Sequence, residues 1–342
     1  MALKTYGKLP SGARLNRIKR SENYRNGAFQ NLTGTTTLAE GVSVWKTLGD
    51  FMSKDKQVRP PRAIPHVRTA LGQLPADRLT CVWFGHSSYL LKVGTLSVLV
   101  DPVLSGHASP FPFMIRAFPG SDAYKPEDMP EVDILLITHD HYDHLDYRTI
   151  VRLKDKIGRV VCSLGVGAHL EHWGLDSSKI HELDWWERFE FRELSLTATP
   201  GRHFSGRGLR RAQSLWSSFV LSRGEQRLFL GGDSGYGPHF KTIGERYASF
   251  DMAILESGQY NRSWPDIHMS PEQTVQASAD LNAKVLLPVH WAKFSLAMHA
   301  WNEPIRRVLS VAEAMKVQVA TPKIGEPFSP GDTLPSERWW EF

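Results

Sequence analysis

Residues 139–146 read HDHYDHLD immediately behind the apolar run DILLIT, and no other stretch of the 342-residue chain constrains it as strongly. Three imidazoles and three carboxylates crowd the end of a segment whose own residues demand burial. Packing them there is costly unless something binds them, and a divalent cation does so. Imidazole nitrogen and carboxylate oxygen suit zinc at about 2.0–2.2 Å, and the lack of cysteine in the octet points to a catalytic site, not a closed structural one. His139 and His141, two apart on an extended segment, can point to one ion. Asp143 and His144, past a bend, can reach a second.

The surrounding pattern is that of a layered α/β protein. Short β-rich runs begin at TCVWF (80–84), SYLLKV (88–93) and LSVLVD (96–101), continue through DILLITH, and recur near 159–163, 194–199, 214–221, 226–231, 252–256 and 284–289. Helical segments are interspersed, at about 145–155, from Pro304, and behind Ser270, an N-cap candidate with Pro271 at the first helical position and Gln273 completing a capping box. Many strands with helices between them predict two sheets packed face to face with helices outside.

Upstream of this body the reading is different. Residues 1–40 are polar without a sustained period and read as an extended or weakly ordered arm. The run 38–52, LAEGVSVWKTLGDFM, has apolar residues at helical spacing, and VRPPRAIP (58–65) reads as a linker. The expected division is therefore 1–65 as a basic arm with a short amphipathic helix and Pro-rich linker, and 66–342 as the folded domain.

Charge separates the same two parts. Seven cationic residues against Glu22 give residues 1–26 a charge of +6, so residues 27–342 carry −1 of the net +5. A body-wide basic groove for nucleic acid is not indicated, and nucleic acid is not expected as a partner. An arm that joins basic charge to an amphipathic segment suits peripheral contact of residues 1–52 with anionic lipid, and deletion of residues 1–37 is expected to spare hydrolysis of a soluble phosphodiester. No secretory signal core or ~18-residue apolar span is read, so the expected location is cytoplasmic or peripheral to a membrane. Cys81 and Cys162 lie in apolar runs and read as buried core thiols.

The HxHxDH pattern behind a hydrophobic strand resembles the signature of the metallo-β-lactamase-fold hydrolases, which implies a four-layer αββα sandwich. The resemblance implies that TPGRHF supplies His203 to complete the first site with His139 and His141. It implies that FLGGDSGY supplies Asp233 as the bridging carboxylate, and that LLPVHW supplies His290 to the second site with Asp143 and His144. Two zinc ions are the implied cofactors, with iron or manganese as alternatives. Two cations sharing Asp233 would acidify a shared water, and Asp143 can orient that water or carry a proton as well as ligate.

Further stretches narrow the resemblance. WFGHSSYLLKV (83–93), VLVDPVLSGHASP (98–110), SLWSSFV (214–220), the segment 231–260 and HMSPEQTVQ (268–276) are similar to the N-acyl-phosphatidylethanolamine phospholipase D branch and its bacterial relatives. That branch cuts a glycerophospholipid phosphodiester on the head-group side. The L-ascorbate-6-phosphate lactonase-like branch and the tRNA-processing RNA phosphodiesterases are the alternative readings. Asp101 resembles a position that braces the ligand loop, and His268 resembles a histidine at the substrate phosphate, where it donates a hydrogen bond or protonates the leaving oxygen. In SGRGLRR, Arg207 is expected beside the site, where a guanidinium can bind a phosphate. His66, His107, His169, His172, His181, His239 and His299 read as surface or packing residues.

Overall fold

The computed structural model describes residues 2–39, 41–42, 49 and 56–342. The amphipathic helix expected over 38–52 falls almost wholly outside the described residues.

Two seven-stranded sheets form the centre. The arm supplies a separate hairpin, β1 (Tyr24–Arg25) and β2 (Ala28–Phe29). The first sheet is built from β3 (Thr80–Trp83), β4 (Tyr89–Val93), β5 (Leu96–Val100), β6 (Val132–Ile137), β7 (Ile157–Ser163) and β8 (Ile180–Leu183). The second contains β9 (Arg188–Phe191), β10 (Leu194–Pro200), β11 (Ser217–Arg223), β12 (Gln226–Leu230), β13 (Met252–Glu256), β14 (Val285–Val289) and β15 (Gln318–Val319). The last strand, β16 (Pro327–Phe328), returns to the edge of the first sheet beside β3.

Both sheets follow one plan, three antiparallel joints and then three parallel ones. In the first, β16, β3, β4 and β5 pair antiparallel before β5 to β8 run parallel. In the second, β9 to β12 pair antiparallel before β12 to β15 run parallel. Antiparallel neighbours can be joined by short connections, as β4–β5 and β11–β12 are, although residues 201–216 make a long loop between β10 and β11. Each parallel joint needs a crossover, which carries an α-helix in every case but β5–β6. The central strands are buried on both faces, as LSVLV in β5 and MAILE in β13 show. Leu91, Leu99, Leu135, Leu196, Phe219, Leu230 and Leu287 belong to the main core cluster. Helices His239–Tyr247, Pro271–Asp280 and Glu303–Met315 bury Phe240, Val275 and Val308 in a second apolar layer with Phe229 and Leu286. Sheets with helices on their outer faces make the expected four-layer α/β sandwich. The capping box before Pro271 is present: the Ser270 hydroxyl accepts the Gln273 amide and the Gln273 side chain accepts the Ser270 amide.

The arm departs from expectation. Arg14 donates to both oxygens of Glu171 at 2.9 and 2.7 Å and to Glu182 at 2.6 Å, while Arg17 pairs with Glu187 at 2.6 Å. Ile18 and Phe29 are buried with Leu164, Trp185, Leu215 and Trp216. Residues 2–37 are therefore a layer of the domain and not a weakly ordered tail, because part of their positive charge meets acidic side chains of the body and their few apolar residues find a shared cluster. The linker reading also changes: Ile64 is buried and its amide bonds Pro119.

Candidate metal centre

The switch from antiparallel to parallel pairing falls at β5 in one sheet and β12 in the other, and the loops beyond the carboxyl ends of these strands, their parallel neighbours and β10 form the site. This is where open α/β sheets gather ligand-binding side chains, since adjacent connections there leave in different directions. Asp101 follows β5, His139 to His144 follow β6, His203 follows β10, Asp233 follows β12 and His290 follows β14.

Three overlapping groups of ligand-type atoms result among the described residues, each within a span of 4.8 Å; two correspond to the expected pair of positions, and the third joins Asp233 and His290 to Glu256 and His268. The first contains His139, His141, His203 and Asp233. Nδ1 of His141 lies 3.0 Å from Nε2 of His139 and 3.2 Å from Nε2 of His203, with Asp233 Oδ2 at 3.8 and 3.7 Å from those two Nε2 atoms. Tetrahedral ligands of zinc stand roughly 3.3 Å apart. The second contains His86, Asp143, His144 and His290. His144 Nε2 is 3.1 Å from Asp233 Oδ1, so Asp233 presents one oxygen to each group, the disposition of a bridging carboxylate.

Three imidazoles are braced at Nδ1, which leaves Nε2 free to face the cluster, and His290 Nδ1 meets a hydroxyl while also standing 3.2 Å from Asp233 Oδ1. His144 bonds Asp101 at 2.7 Å, His203 the carbonyl of Ile267 at 2.8 Å, His290 the Ser87 hydroxyl at 2.9 Å and His139 the Thr138 hydroxyl at 3.1 Å. Such outer bonds fix tautomer and ring orientation in metal sites. Among the described residues, buried His144 Nε2, His290 Nε2 and Asp233 Oδ1 make no well-directed hydrogen bond, although His144 Nε2 and Asp233 Oδ1 stand 3.1 Å apart, a crowding of donor atoms that a bound cation resolves. The residues therefore fit a pair of divalent cations.

Electrostatics agree. Burial drives His139, His203 and His290 well below the ordinary histidine value, so each is a neutral imidazole with a lone pair to give. Burial also opposes charge on His144, but Asp233, Asp143 and Asp101 together raise it well above that value. A proton on His144 occupies the place in this field that a cation would take.

Asp101 lies where a loop brace should. One oxygen accepts the Thr138 amide at 2.9 Å, and the other accepts the Thr138 hydroxyl at 2.6 Å as well as His144. Arg207 is placed differently from the phosphate-binding role expected of it. Its guanidinium is buried and donates to the carbonyls of Thr5, Asp140 and Leu145, between the rings of Tyr142 and Trp173. With four donors directed at carbonyls it clamps the ends of the ligand loop to the arm. His268 stacks on His290 with ring centroids 5.1 Å apart and lies 5.0 Å from the His203 ring.

Sequence reasoning missed His86. Its Nε2 is 2.9 Å from Asp143 Oδ2 and its ring lies 4.0 Å from that of His290. It also missed Asn31 of the arm, which bonds the backbone of His203, and Glu256, which bonds His268. Gly85 before His86 was the available signal: a Gly-His pair at a strand end marks a turn, and both residues have positive φ, 80° and 53°. Asp101 and His290 share the left-handed conformation at φ 41° and 68°, unusual for residues with a Cβ.

Comparison with known proteins gives the same result. Residues 97–291 match the family described as Beta-lactamase superfamily domain. An uncharacterized protein of Mycobacterium tuberculosis is 38% identical over 339 residues, 95% of this chain and 88% of that one. N-acyl-phosphatidylethanolamine-hydrolyzing phospholipase D 1 of Caenorhabditis elegans is 26% identical over 310 residues, covering 84% and 86% of the two chains. In fold, the metallo-hydrolase Igni18 of Ignicoccus hospitalis superposes with a TM-score of 0.57 over 73% of this chain and 97% of its own, at 21% identity. The chain belongs to the metallo-β-lactamase superfamily of metal-dependent hydrolases.

Proposed function

We propose that the chain hydrolyses a phosphodiester in the manner of a phospholipase D, with N-acyl-phosphatidylethanolamine or a close relative as substrate. Two zinc ions would be held by His139, His141 and His203 at one position and by Asp143, His144 and His290 at the other, with Asp233 between them. The observation that carries the reading is a pair of cavities, one lined by the candidate ligand His203 and the other by His268 beside it. One of about 500 Å³ reaches His203 and is lined by Phe29, Leu32, Phe204 and Trp216 as well as by polar residues of the arm. The other, of about 330 Å³, reaches His268 and includes Tyr260, Pro265 and Arg262. A diester has two long arms to place and a phosphorylated sugar lactone one short one, so two cavities favour the diester. The relative from Caenorhabditis elegans named for this activity supports the same choice.

Bound cations would supply Lewis acidity and an acidic water. The chain supplies the rest. Asp101, Ser87, Thr138 and the Ile267 carbonyl hold the imidazoles in one tautomer, His86 steadies Asp143, and His268 stands where it can donate a proton to the departing alcohol oxygen. The donor set suits zinc, and iron or manganese would also be accepted by histidine and carboxylate.

Contact with anionic lipid is part of the proposal. Among the described residues no helix is long and apolar enough to cross a membrane. Lys4, Lys8, Lys19 and Arg20 are exposed on the arm, as are Tyr6 and Leu9 beside the first two in sequence.

The test is a substrate panel with metal-loaded protein: N-acyl-phosphatidylethanolamine in vesicles, other phosphodiesters, lactones and structured RNA, with metal content measured alongside. Release of phosphatidic acid and an N-acylethanolamine, with close to two metal ions per chain, is expected. Faster turnover of a lactone or of RNA would replace the reading, and failure to bind metal after reconstitution would remove its basis.

A further inference from the structure

Glu256 is the last residue of β13, and its carboxylate is buried. Oε2 accepts the Nδ1–H of His268 at 2.7 Å. Oε1 accepts the backbone amide of Ser234 at 3.0 Å and that of Met269 at 3.3 Å. The Glu256 carbonyl also accepts the Thr274 hydroxyl at 2.8 Å, which ties the strand end to the helix behind Ser270. One side chain thus joins the loop after Asp233, the end of β13 and the loop that carries His268.

We propose that Glu256 is a positioning residue for proton donation by His268, an inference that rests on the reading of His268 as the donor to the leaving oxygen. An unbraced imidazole can turn over about its ring axis and exchange tautomers, presenting either nitrogen to the substrate. Acceptance from Nδ1 fixes both, and Nε2 is left as the nitrogen without a protein partner among the described residues, as in catalytic triads where a carboxylate orients histidine. The grip on the Ser234 amide adds registration, because Ser234 directly follows Asp233. Glu256 also lies within a possible ligand group of Asp233, His268 and His290, but three of its roughly four acceptor directions already meet protein donors, which favours the brace.

The chemical step balances simply. Water gives its oxygen to phosphorus, the phosphorus–oxygen bond to the alcohol breaks with its electron pair on the leaving oxygen, and the Nε2 proton of His268 caps that oxygen. The proton lost by water restores His268. His268 keeps its Nδ1 proton, donated to the Glu256 carboxylate, throughout, and Glu256 is not itself a reactant.

A double-mutant cycle in the metal-loaded full chain tests this. The variants are Glu256→Ala, Glu256→Gln, His268→Ala and the Glu256→Ala/His268→Ala pair, assayed on an alkyl phosphodiester and on a 4-nitrophenyl phosphodiester whose leaving group needs no proton. Glu256→Ala is expected to lower kcat on the alkyl diester by about tenfold or more with KM nearly unchanged, and to cost far less on the nitrophenyl diester. Glu256→Gln should recover part of the loss, since its amide oxygen can still accept from Nδ1, and the double variant should be no slower than His268→Ala. Additive losses, or equal losses on both substrates, would overturn the proposal. Nitrogen-15 histidine NMR supplies a readout independent of turnover: a far-downfield Nδ1 proton of His268 in wild type and Glu256→Gln, absent in Glu256→Ala and His268→Ala. Absence of that signal from the wild type also overturns it. Presence of the signal in a protein that cleaves no phosphodiester would instead count against the proposed substrate, and the cycle would then be run on the ester that is cleaved.

Discussion

Asn31 and His203 are joined by two hydrogen bonds that mimic a strand pair: the Asn31 Nδ2 donates to the His203 carbonyl at 2.8 Å, and its Oδ1 accepts the His203 amide at 3.1 Å. The same Oδ1 accepts Trp216 Nε1 at 3.0 Å. A candidate metal ligand is therefore held by a residue of the arm, 172 positions away in sequence. Asn31→Ala leaves the His203 backbone groups and the Trp216 N–H unpaired, a loss of about 1–3 kcal/mol. We expect weaker metal binding at the first position, read by competition with a chelator, and lower turnover. Deletion of residues 2–37 should go further and yield unfolded or insoluble protein, because it uncovers the cluster around Trp216 and removes the Thr5 carbonyl from Arg207. Normal hydrolysis by the truncated chain would show that the arm is dispensable.

Asp233 and Asp101 should separate cleanly under mutation. Asp233→Ala removes the carboxylate that has an oxygen near each group, so metal content and turnover should fall together. Asp101→Ala leaves the candidate ligands in place but frees the His144 ring, and outer-shell losses of this type cost about 10–100-fold in activity or affinity. Metal analysis and rate measurement on both variants check the contrast, and equal metal loss would merge the two roles.

His86→Ala is expected to act on the second position alone. With its bond to Asp143 gone, that carboxylate loses its support, and affinity there should weaken by about 10–100-fold while the first position is kept. Titration with a chelator should then show one tightly and one weakly held ion. Loss of both, or of neither, would contradict this placement.

Lys293 gives a prediction about stability. It is fully buried, donates to the Phe84 carbonyl at 2.9 Å, and is pushed down to about 7 by desolvation from its model-compound value of 10.5. Above about 7 the unfolded chain binds a proton here that the folded chain does not, so stability should rise with pH at up to about 1.4 kcal/mol per unit from this residue. Below that window both states are protonated and the penalty is constant. The buried thiols Cys81 and Cys162 oppose the trend once the unfolded chain ionises near the ordinary thiol value of 9.0. Denaturant unfolding of wild type against Lys293→Met between pH 7 and 9 isolates the effect. Parallel curves would show that Lys293 stays charged in the fold.

The parts of this architecture that are local in sequence were the readable ones. HDHYDHLD carries its chemistry in eight consecutive residues, and Ser270, Pro271 and Gln273 spell a helix start within four. Arg14 could not be read this way, since nothing near it reveals partners at Glu171 and Glu182, 157 and 168 positions on. Arg207 was misplaced for the same reason: the carbonyl of Thr5 that captures it comes from the far end of the chain. His86 is one imidazole in a turn, without the density of neighbours that exposes His139 to His144. The short edge strands β8, β9, β15 and β16 carry too few apolar residues to stand out from loops, and only pairing makes them strands.

The shared plan of the two sheets has a last consequence. His86, His139, His141, Asp143 and His144 come from the first sheet, whereas His203, Asp233 and His290 come from the second. Neither half of the chain holds a complete coordination sphere, and each cluster takes donors from both. A cation in either position would act as a rivet across the seam between the sheets, so its binding free energy adds to the cohesion of the halves. Metal depletion would then loosen the sandwich from its rim inward, and the same ions that make the site reactive would set how firmly the two halves stay closed.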